Sequence, residues 1–443
     1  MKRFIAENLE ILIGVGLALF AAWRVAKHRS RDRVAKRLLR KVAEMGAEPL
    51  SLHPDIDPVK CAGCAACTAV CPEGDILQLV DHKAVLVGPT KCVGHGECER
   101  ACPMGAITLV FGTKTRGVDI PRLTTHYETN VPGLYIAGEL GGMGLIRNAV
   151  RQGVTSATHA LSTPVEGAAD YDLLIVGAGP AGIAASLVAI AQKRKYLVLE
   201  QNSFGGTVYN YPRQKIVMSH PAELPIVGMM KFAKNKVSKE ELLSFWVGLK
   251  KRLDIQIREK TKFEGLEKNG SHFRVATSHG IVTAHRVVLA MGLRGSPRKL
   301  GLENEDLPKV TYSLRDPLQY RGVNVCVVGG GNAGVEAAVA LGEERLGNKV
   351  TLLVRGAELD RCNEDNQRRV EKVRDAGLVQ MWFHSSVTKI EPQTLKVKRE
   401  NTEVTVENDF LFIFAGAEMP QKFLMGLGIV IDKKFGEAFR KTN

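Results

Sequence analysis

The sequence predicts an α/β protein, and three observations carry that reading. Residues 173–176 and 323–328 are apolar strands, and each runs into a glycine-rich turn and then a helix. That order opens a nucleotide-binding βαβ unit, and it occurs twice. Seven cysteines crowd into the stretch from Cys61 to Cys102, a density that marks a separate small module. The bulk composition allows such a plan. The chain has 443 residues, 45% hydrophobic and 24% charged, which is ordinary for globular protein and enough for three or four domains with substantial cores.

The first element in order is residues 1–45, read as a membrane anchor followed by a basic helix. An apolar run covers 11–23, and 4–26 reaches the length of about 20 residues that a spanning helix needs. Residues 1–41 hold eleven Lys or Arg against three acids, more than half of the net charge of +14. Charge so concentrated argues against a nucleic-acid partner. Behind an apolar run it reads as the flank of a single-pass helix in the inner (cytoplasmic) membrane, with the catalytic part facing the cytoplasm. Val34, Leu38 and Val42 would lie against membrane lipid. The alternative is a surface or soluble interaction helix. No small-residue cleavage site follows Trp23, which counts against a signal peptide.

Residues 46–115 hold the cysteines. They read Cys61-x2-Cys64-x2-Cys67-x3-Cys71-Pro72, then Cys92-x5-Cys98-x3-Cys102-Pro103. This spacing resembles a two-cluster bacterial ferredoxin, which implies a small α+β domain with two iron–sulfur clusters. The resemblance groups Cys61, Cys64, Cys67 and Cys102 on one cluster, and Cys92, Cys98 and Cys71 on the other. Structural zinc sites rarely repeat such a run. His95 stands where the middle cysteine of the second run would be. Three readings stay open there: His95 is a ligand of a 4Fe-4S cluster, three cysteines hold a 3Fe-4S cluster, or His95 is a loop residue of an empty site. Thiolate-bound clusters point to a reducing compartment.

The nucleotide folds follow. Residues 173–176 lead into Gly177-Ala178-Gly179-Pro180-Ala181-Gly182 and an Ala-rich helix, and a second strand ends at Glu200. The glycines admit a pyrophosphate at a helix N-terminus, and the acid suits ribose hydroxyls. Residues 323–328 lead into Gly329-Gly330-Gly331-Asn332-Ala333-Gly334, and the next strand ends in Arg355. An Arg there can pair with a 2′-phosphate, which favours NADPH over NADH. The alternative is a solvated loop charge.

Two such folds, the second inserted in the first, resemble the two-dinucleotide-binding flavoprotein reductases, in their thioredoxin-reductase-like and bacillithiol-disulfide-reductase-like branch. Further residues carry the resemblance: the crossover strand at 285–292, the return strand at 409–420, and Gly205-Gly206-Thr207, which is similar to a flavin-contacting loop. Residues 129–139 (TNVPGLYIAGE) resemble the second FAD motif, in which Gly138 and Glu139 would contact FAD. The resemblance implies two Rossmann-like domains, FAD-binding over 116–295 and NADPH-binding over 296–415, with 416–443 returning to the FAD domain. In that family the second FAD motif closes the chain, whereas here it precedes the first fingerprint. The simplest reading is circular permutation, with 162–170 as the new link. It predicts a strand at 131–137 beside 173–176, and Asn443 on the side of the FAD domain where residue 115 lies.

The chain lacks the Cys-x-x-Cys pair of thioredoxin reductases, and Ala181 stands where bacillithiol disulfide reductases carry a Cys. Cys326 reads as a core thiol, and Cys362 as a loop thiol beside Arg361. The parts together imply a membrane-anchored FAD-dependent oxidoreductase that moves electrons between NAD(P)H, flavin and iron–sulfur clusters. Its partner would be a redox protein or small acceptor, and a homodimer fits the family. Two alternatives stay open. One is reduction of a small disulfide fed by the clusters, with Tyr209, Asn210 and His220 lining the pocket. The other is a membrane-bound redox sensor or docking subunit.

Overall fold

The computed structural model describes residues 9–49, 52–142, 144–213, 215–218, 222–232, 237–293, 297–416 and 420–438. The chain divides into two compact units. The first holds the residues up to Gly117 together with 435–438, and the second holds Val118–Lys434.

The first unit begins with the long helix α1 (Leu9–Glu44). Strand β1 (His53–Ile56) follows, then the one-turn helix α2 (Ala66–Ala69) and a hairpin of β2 (Leu77–Val80) and β3 (Lys83–Leu86). A second one-turn helix, α3 (Glu97–Arg100), leads to β4 (Ile107–Phe111). β1 pairs antiparallel with one edge of β4. A terminal strand, Glu437–Ala438, pairs with the other edge.

The membrane expectation fails here. No helix among the described residues is long and apolar enough to cross a membrane. The inner-membrane placement and lipid as a partner fall with it. The physical reason lies in the charge pattern of α1. Arg24, Lys27, Arg29 and Arg31 follow the apolar run within the same unbroken helix. Its second half packs on the hairpin instead. Ala35 is fully buried, and Lys36 Nζ lies 2.6 Å from Asp81 Oδ1 and 3.0 Å from Asp32 Oδ2. Asp32 in turn accepts the Asp81 amide.

The second unit contains two large sheets, one mixed and one parallel. β5 (Val118–Pro121) and β6 (Leu134–Ile136) come first, then α4 (Ile146–Ser162). β7 (Tyr171–Val176), α5 (Pro180–Ala191) and β8 (Tyr196–Leu199) form the first βαβ unit. The hairpin of β9 (Phe263–Asn269) and β10 (His272–Thr277) leads into β11 (Gly280–Leu289). Strands β6 to β11, with the short strand Ile257–Arg258 beside β8, form one seven-stranded sheet. β7 is wholly apolar in its buried part because both faces are covered. Leu173 and Ile175 enter one core with α4 and α5, while Leu174 and Val176 enter the other with Phe273, Leu424 and Ile429.

The second fingerprint lies in a five-stranded parallel sheet. Its centre is β12 (Asn324–Val328), followed by α6 (Asn332–Leu341) and β13 (Lys349–Leu353). The return strand Phe410–Ile413 pairs with β12. The chain then runs through the helix Gln421–Gly426 to a strand, Ile431–Lys434, that pairs antiparallel with β5.

The expected pairing of 131–137 with 173–176 needs correction. β6 joins the same sheet one strand away, parallel to residues 287–289 of β11, and β11 lies between β6 and β7. β10 uses the same edge of β11 only as far as Ala284, so β6 takes the part that the hairpin leaves free. Asn443 lies outside the described residues.

Candidate functional site

The eight candidate ligands gather into two recesses of the first unit. Cys61, Cys64, Cys67 and Cys102 line one, together with Leu79, Ala84 and Ile107. Cys71, Cys92, His95 and Cys98 line the other, with Pro54, Ile76 and Leu109. This is the cross-wise division that the spacing implies, with the fourth cysteine of each run on the far site. The empty space, part of it open to solvent, is ≈ 320 Å³ in one recess and ≈ 330 Å³ in the other.

The local geometry suits thiolate ligands. The Ala84 amide donates to Cys61 Sγ at 3.4 Å, and the Ala106 amide to Cys102 Sγ at 3.3 Å. Such donors stabilise a ligating thiolate and tune the cluster it holds. Burial pushes the Cys92 thiol up to about 11 and the Cys98 thiol up to about 12. Thiols that costly to ionise become ligands only against a metal's positive charge. Among the described residues, no group of three or more His, Cys, Asp or Glu is gathered to chelate a single ion. The donors line recess walls instead, an arrangement that fits clusters, whose ligands stand around a cage of iron and sulfide.

The flavin-side residues also come together. The strand β7 turns at Gly177, whose φ is 108° and where a Cβ would lie 2.5 Å from Ala290 O. A Cβ on Gly182 would lie 1.8 Å from Gly177 O, so only glycine lets α5 start this close to the strand. Gly179 caps α5, with Pro180 in its first turn. The Gly205-Gly206-Thr207 loop lies against this turn, since a Cβ on Gly206 would meet Gly179 at 3.1 Å. Gly138 and Glu139 approach from the other side, with a Cβ on Gly138 placed 3.4 Å from Ala181 Cβ. Glu200 is buried at the end of β8. It accepts the Ala178 amide on Oε2 at 2.9 Å and the Asn202 amide on Oε1 at 2.8 Å.

One residue here escaped the sequence reading. Gln152 on α4 is fully buried, and its Oε1 accepts the Gly138 amide at 2.6 Å. Its Nε2 has no hydrogen-bond partner. It fixes the turn that presents Glu139. No motif announces it: the only signal is a row of polar residues, Asn148, Gln152 and Ser156, four apart on the buried face of α4.

The nicotinamide side repeats the plan. A Cβ on Gly334 would lie 2.1 Å from Gly329 O, the same close approach as between Gly182 and Gly177. Gly331 caps α6. Gly330 lies against Val354, just past the end of β13, and exposed Arg355 comes next. The four predicted residues thus share the C-terminal ends of two neighbouring strands. Beside them Asn366 Nδ2 donates to Asn332 Oδ1 and to Glu336 Oε1, and Lys215 Nζ reaches Glu336 Oε2 at 2.7 Å.

Tyr209 is exposed on a 3-10 turn, Gly206–Asn210, and His220 lies outside the described residues. Cys326 is a core thiol pushed up to about 12 by burial. Cys362 is also fully buried, which removes it from the exposed setting of a reactive loop thiol.

Comparison with known proteins gives the same two parts. Residues 174–441 match the family model described as pyridine nucleotide-disulphide oxidoreductase, and residues 53–103 match a 4Fe-4S dicluster domain. The bacilliredoxin reductase Bdr of Bacillus subtilis is 29% identical over 60% of this chain and 83% of its own length. A ferredoxin–NADP reductase of Ignicoccus hospitalis is 29% identical over 58% of this chain and 81% of its own. The solved bacillithiol disulfide reductase of Bacillus cereus is 26% identical over 61% of this chain and 85% of its own, with a TM-score of 0.54. With the family match spanning more than half the chain, the protein belongs to the pyridine nucleotide-disulphide oxidoreductases, and it is an FAD-dependent member that carries a 4Fe-4S dicluster domain in the same polypeptide.

Proposed function

We propose that this enzyme carries electrons from NADPH through FAD to two iron–sulfur clusters, and from these to a redox partner. The observation behind the reading is the presence, in one chain, of two glycine-turn nucleotide folds and two thiol-lined recesses. Bound flavin takes up an electron pair as hydride and gives electrons up singly, so it joins a nicotinamide to one-electron clusters.

The task of the chain is to bind and orient. Gly177, Gly179 and Gly182 would receive the FAD pyrophosphate at the start of α5, and Glu200 would hold its ribose. Gly138 and Glu139 would hold the ribityl side, and Gly205, Gly206 and Thr207 would lie along the flavin. Gly329, Gly331 and Gly334 would take the NADPH pyrophosphate, with Arg355 on the 2′-phosphate. Cys61, Cys64, Cys67 and Cys102 would hold one cluster. Cys71, Cys92 and Cys98 would give three ligands to the other. Hydride transfer needs no acid or base, so no side chain is assigned a proton.

Residues 116–161 are read as the permuted end of the FAD domain. The support is that the family match begins at residue 174, while β6 and α4 precede it and still complete the same sheet and core. The Ignicoccus relative is, by name, a reductase of ferredoxin. In this chain a ferredoxin-like module is part of the polypeptide, which makes it the first electron acceptor. An exposed apolar side chain stands at each recess, Met104 at the first and Val93 at the second, as a docking redox protein would use.

Anaerobic titration of the purified holoprotein with NADPH tests the reading, with flavin absorbance and cluster EPR followed together. Flavin bleaching with appearance of reduced-cluster signals is the expected result. Bleaching with intact but silent clusters would overturn the direction of flow and make the clusters the entry point.

A further inference from the structure

We infer that the second recess holds a four-iron cluster whose fourth ligand is the His95 imidazole, oriented by the Glu73 carboxylate. This rests on reading the two recesses as cluster sites, and it assigns the donor that the second one lacks.

The backbone carries the first step. Residues 61–67 and 92–98 share two left-handed backbone positions. The third position is left-handed in both, Gly63 with φ 69° and Gly94 with φ 75°. The fifth is left-handed in both as well, Ala65 with φ 62° and Gly96 with φ 78°, and each caps a one-turn helix. The third position is also crowded in both: a Cβ would meet His82 O at 2.1 Å in one loop and Leu52 O at 2.7 Å in the other. Two left-handed residues around position four set the direction in which its side chain leaves the loop. That position is Cys64 in one loop and His95 in the other.

The donor inventory carries the second step. Besides its three cysteines, the second recess is lined by two side chains with ligand atoms, His95 and Glu97. Glu97 is engaged by Arg100, at 2.7 Å from Nη2 to Oε1 and 3.2 Å from Nε to Oε2. His95 is the neutral donor of the two, at the position that matches Cys64, with its side chain only 15% exposed.

The third step concerns orientation. His95 Nε2 lies 3.7 Å from Glu73 Oε1. A ligating imidazole commonly turns its second nitrogen to a carboxylate, which fixes the ring. With Nε2 on the Glu73 side, Nδ1 would be the nitrogen that binds iron. Glu73 follows Cys71 by two residues, so one turn of chain supplies both a thiolate and the orienting carboxylate. A neutral imidazole in place of a thiolate makes the cluster less negative and raises its potential. The second cluster is then the better electron acceptor of the two.

The test uses full-length protein reconstituted anaerobically with iron and sulfide. Iron content, EPR of the oxidised and reduced states, and pulsed EPR for nitrogen coupling are measured. Expected in the wild type are two four-iron clusters, with a strongly coupled nitrogen on the one of higher potential. His95→Ala should lose one iron and gain the signal of an oxidised three-iron cluster. His95→Cys should keep all iron, lose the nitrogen coupling and lower the potential. Glu73→Gln should keep the iron and shift that potential. A wild type that already holds a three-iron cluster, or nitrogen coupling that survives in His95→Cys, overturns the inference while the two-cluster reading stands. An unshifted potential in Glu73→Gln removes Glu73 from the assignment. Iron at only one recess in the wild type overturns both readings.

Discussion

Lys215 and Glu336 meet at 2.7 Å, nitrogen to oxygen, and they belong to different nucleotide folds of the second unit. Lys215 lies beyond the Gly205–Thr207 loop, and Glu336 lies on α6 directly after the second fingerprint. Both side chains are about four-fifths covered, and Asn366 holds the other Glu336 oxygen. The pair thus ties the chain near one glycine turn to the helix that leaves the other. Lys215→Met should cost about 1 kcal/mol, the upper range for a partly exposed pair. A lower melting midpoint at unchanged FAD content is the expected outcome. Equal midpoints would show that the pair contributes nothing.

Arg355 bears on the choice of nicotinamide. It is exposed and follows the strand end that the second fingerprint touches. A charge-assisted bond to a 2′-phosphate is worth about 1.5–3 kcal/mol. Arg355→Ala should therefore raise the KM for NADPH about tenfold or more, with the NADH reaction unchanged. Steady-state kinetics with both nucleotides decides it, and an equal loss for both would place Arg355 outside the phosphate contact.

Glu200 serves the fold before it serves any ligand, because its carboxylate satisfies the Ala178 amide inside the fingerprint turn. Glu200→Ala leaves that buried amide bare, at about 1–3 kcal/mol. The purified variant should carry less FAD, and its flavin should dissociate faster. A variant that retains full flavin content would show that the turn stands without this carboxylate.

Gln152 makes a related prediction by a different route. Gln152→Leu removes the acceptor of the Gly138 amide and also the unpartnered Nε2, so its effect on stability should be small. The Gly138–Glu139 turn should loosen, with weaker FAD retention at a nearly unchanged melting midpoint. Large destabilisation with normal flavin affinity would make Gln152 a packing residue only.

Asp170 gives a pH dependence. Its carboxylate accepts the Thr283 amide at 2.8 Å and the Thr283 hydroxyl at 2.8 Å, fastening the end of the 162–170 link to β11. The backbone bond first, and the hydroxyl bond second, hold its pKa below the ordinary value. A group with a lowered folded pKa stabilises above its unfolded pKa, and the contribution is lost as pH falls through the folded value. Asp170→Asn should therefore be less stable than wild type at neutral pH, with the gap closing below about pH 4. A gap that persists in acid would assign it to lost geometry, not charge.

Much of the site was legible because it is local. Three ligands of each cluster wrap a cage within a few residues, which made the runs legible, and the resemblance to two-cluster ferredoxins sorted Cys102 and Cys71 to opposite recesses. The fingerprints were legible because glycine contacts such as Gly182 on Gly177 are made inside one turn. What failed was non-local. The fate of α1 is set by Asp81, which lies 45 positions from Lys36 and is invisible to a hydropathy count. β6 was placed one strand off because strand order depends on which edge of β11 the hairpin leaves open. Gln152 matches no pattern, since its role comes from a turn fourteen residues earlier.

The strand Glu437–Ala438 has a consequence for how the chain can be cut. The cysteine-rich module is discontinuous in sequence: its sheet draws β4 from before Gly117 and its last edge strand from beyond Lys434. Among the described residues the polypeptide leaves the module after Gly117 and returns at Phe435, and the two passages run side by side where Val118 pairs with Lys434. A single proteolytic nick in either passage leaves the module tethered by the other. A fragment ending at Gly117 would expose one edge of β4, an open template for pairing with another chain. The module is a clasp closed by a strand more than 300 residues further along the chain, and one cut does not set it free.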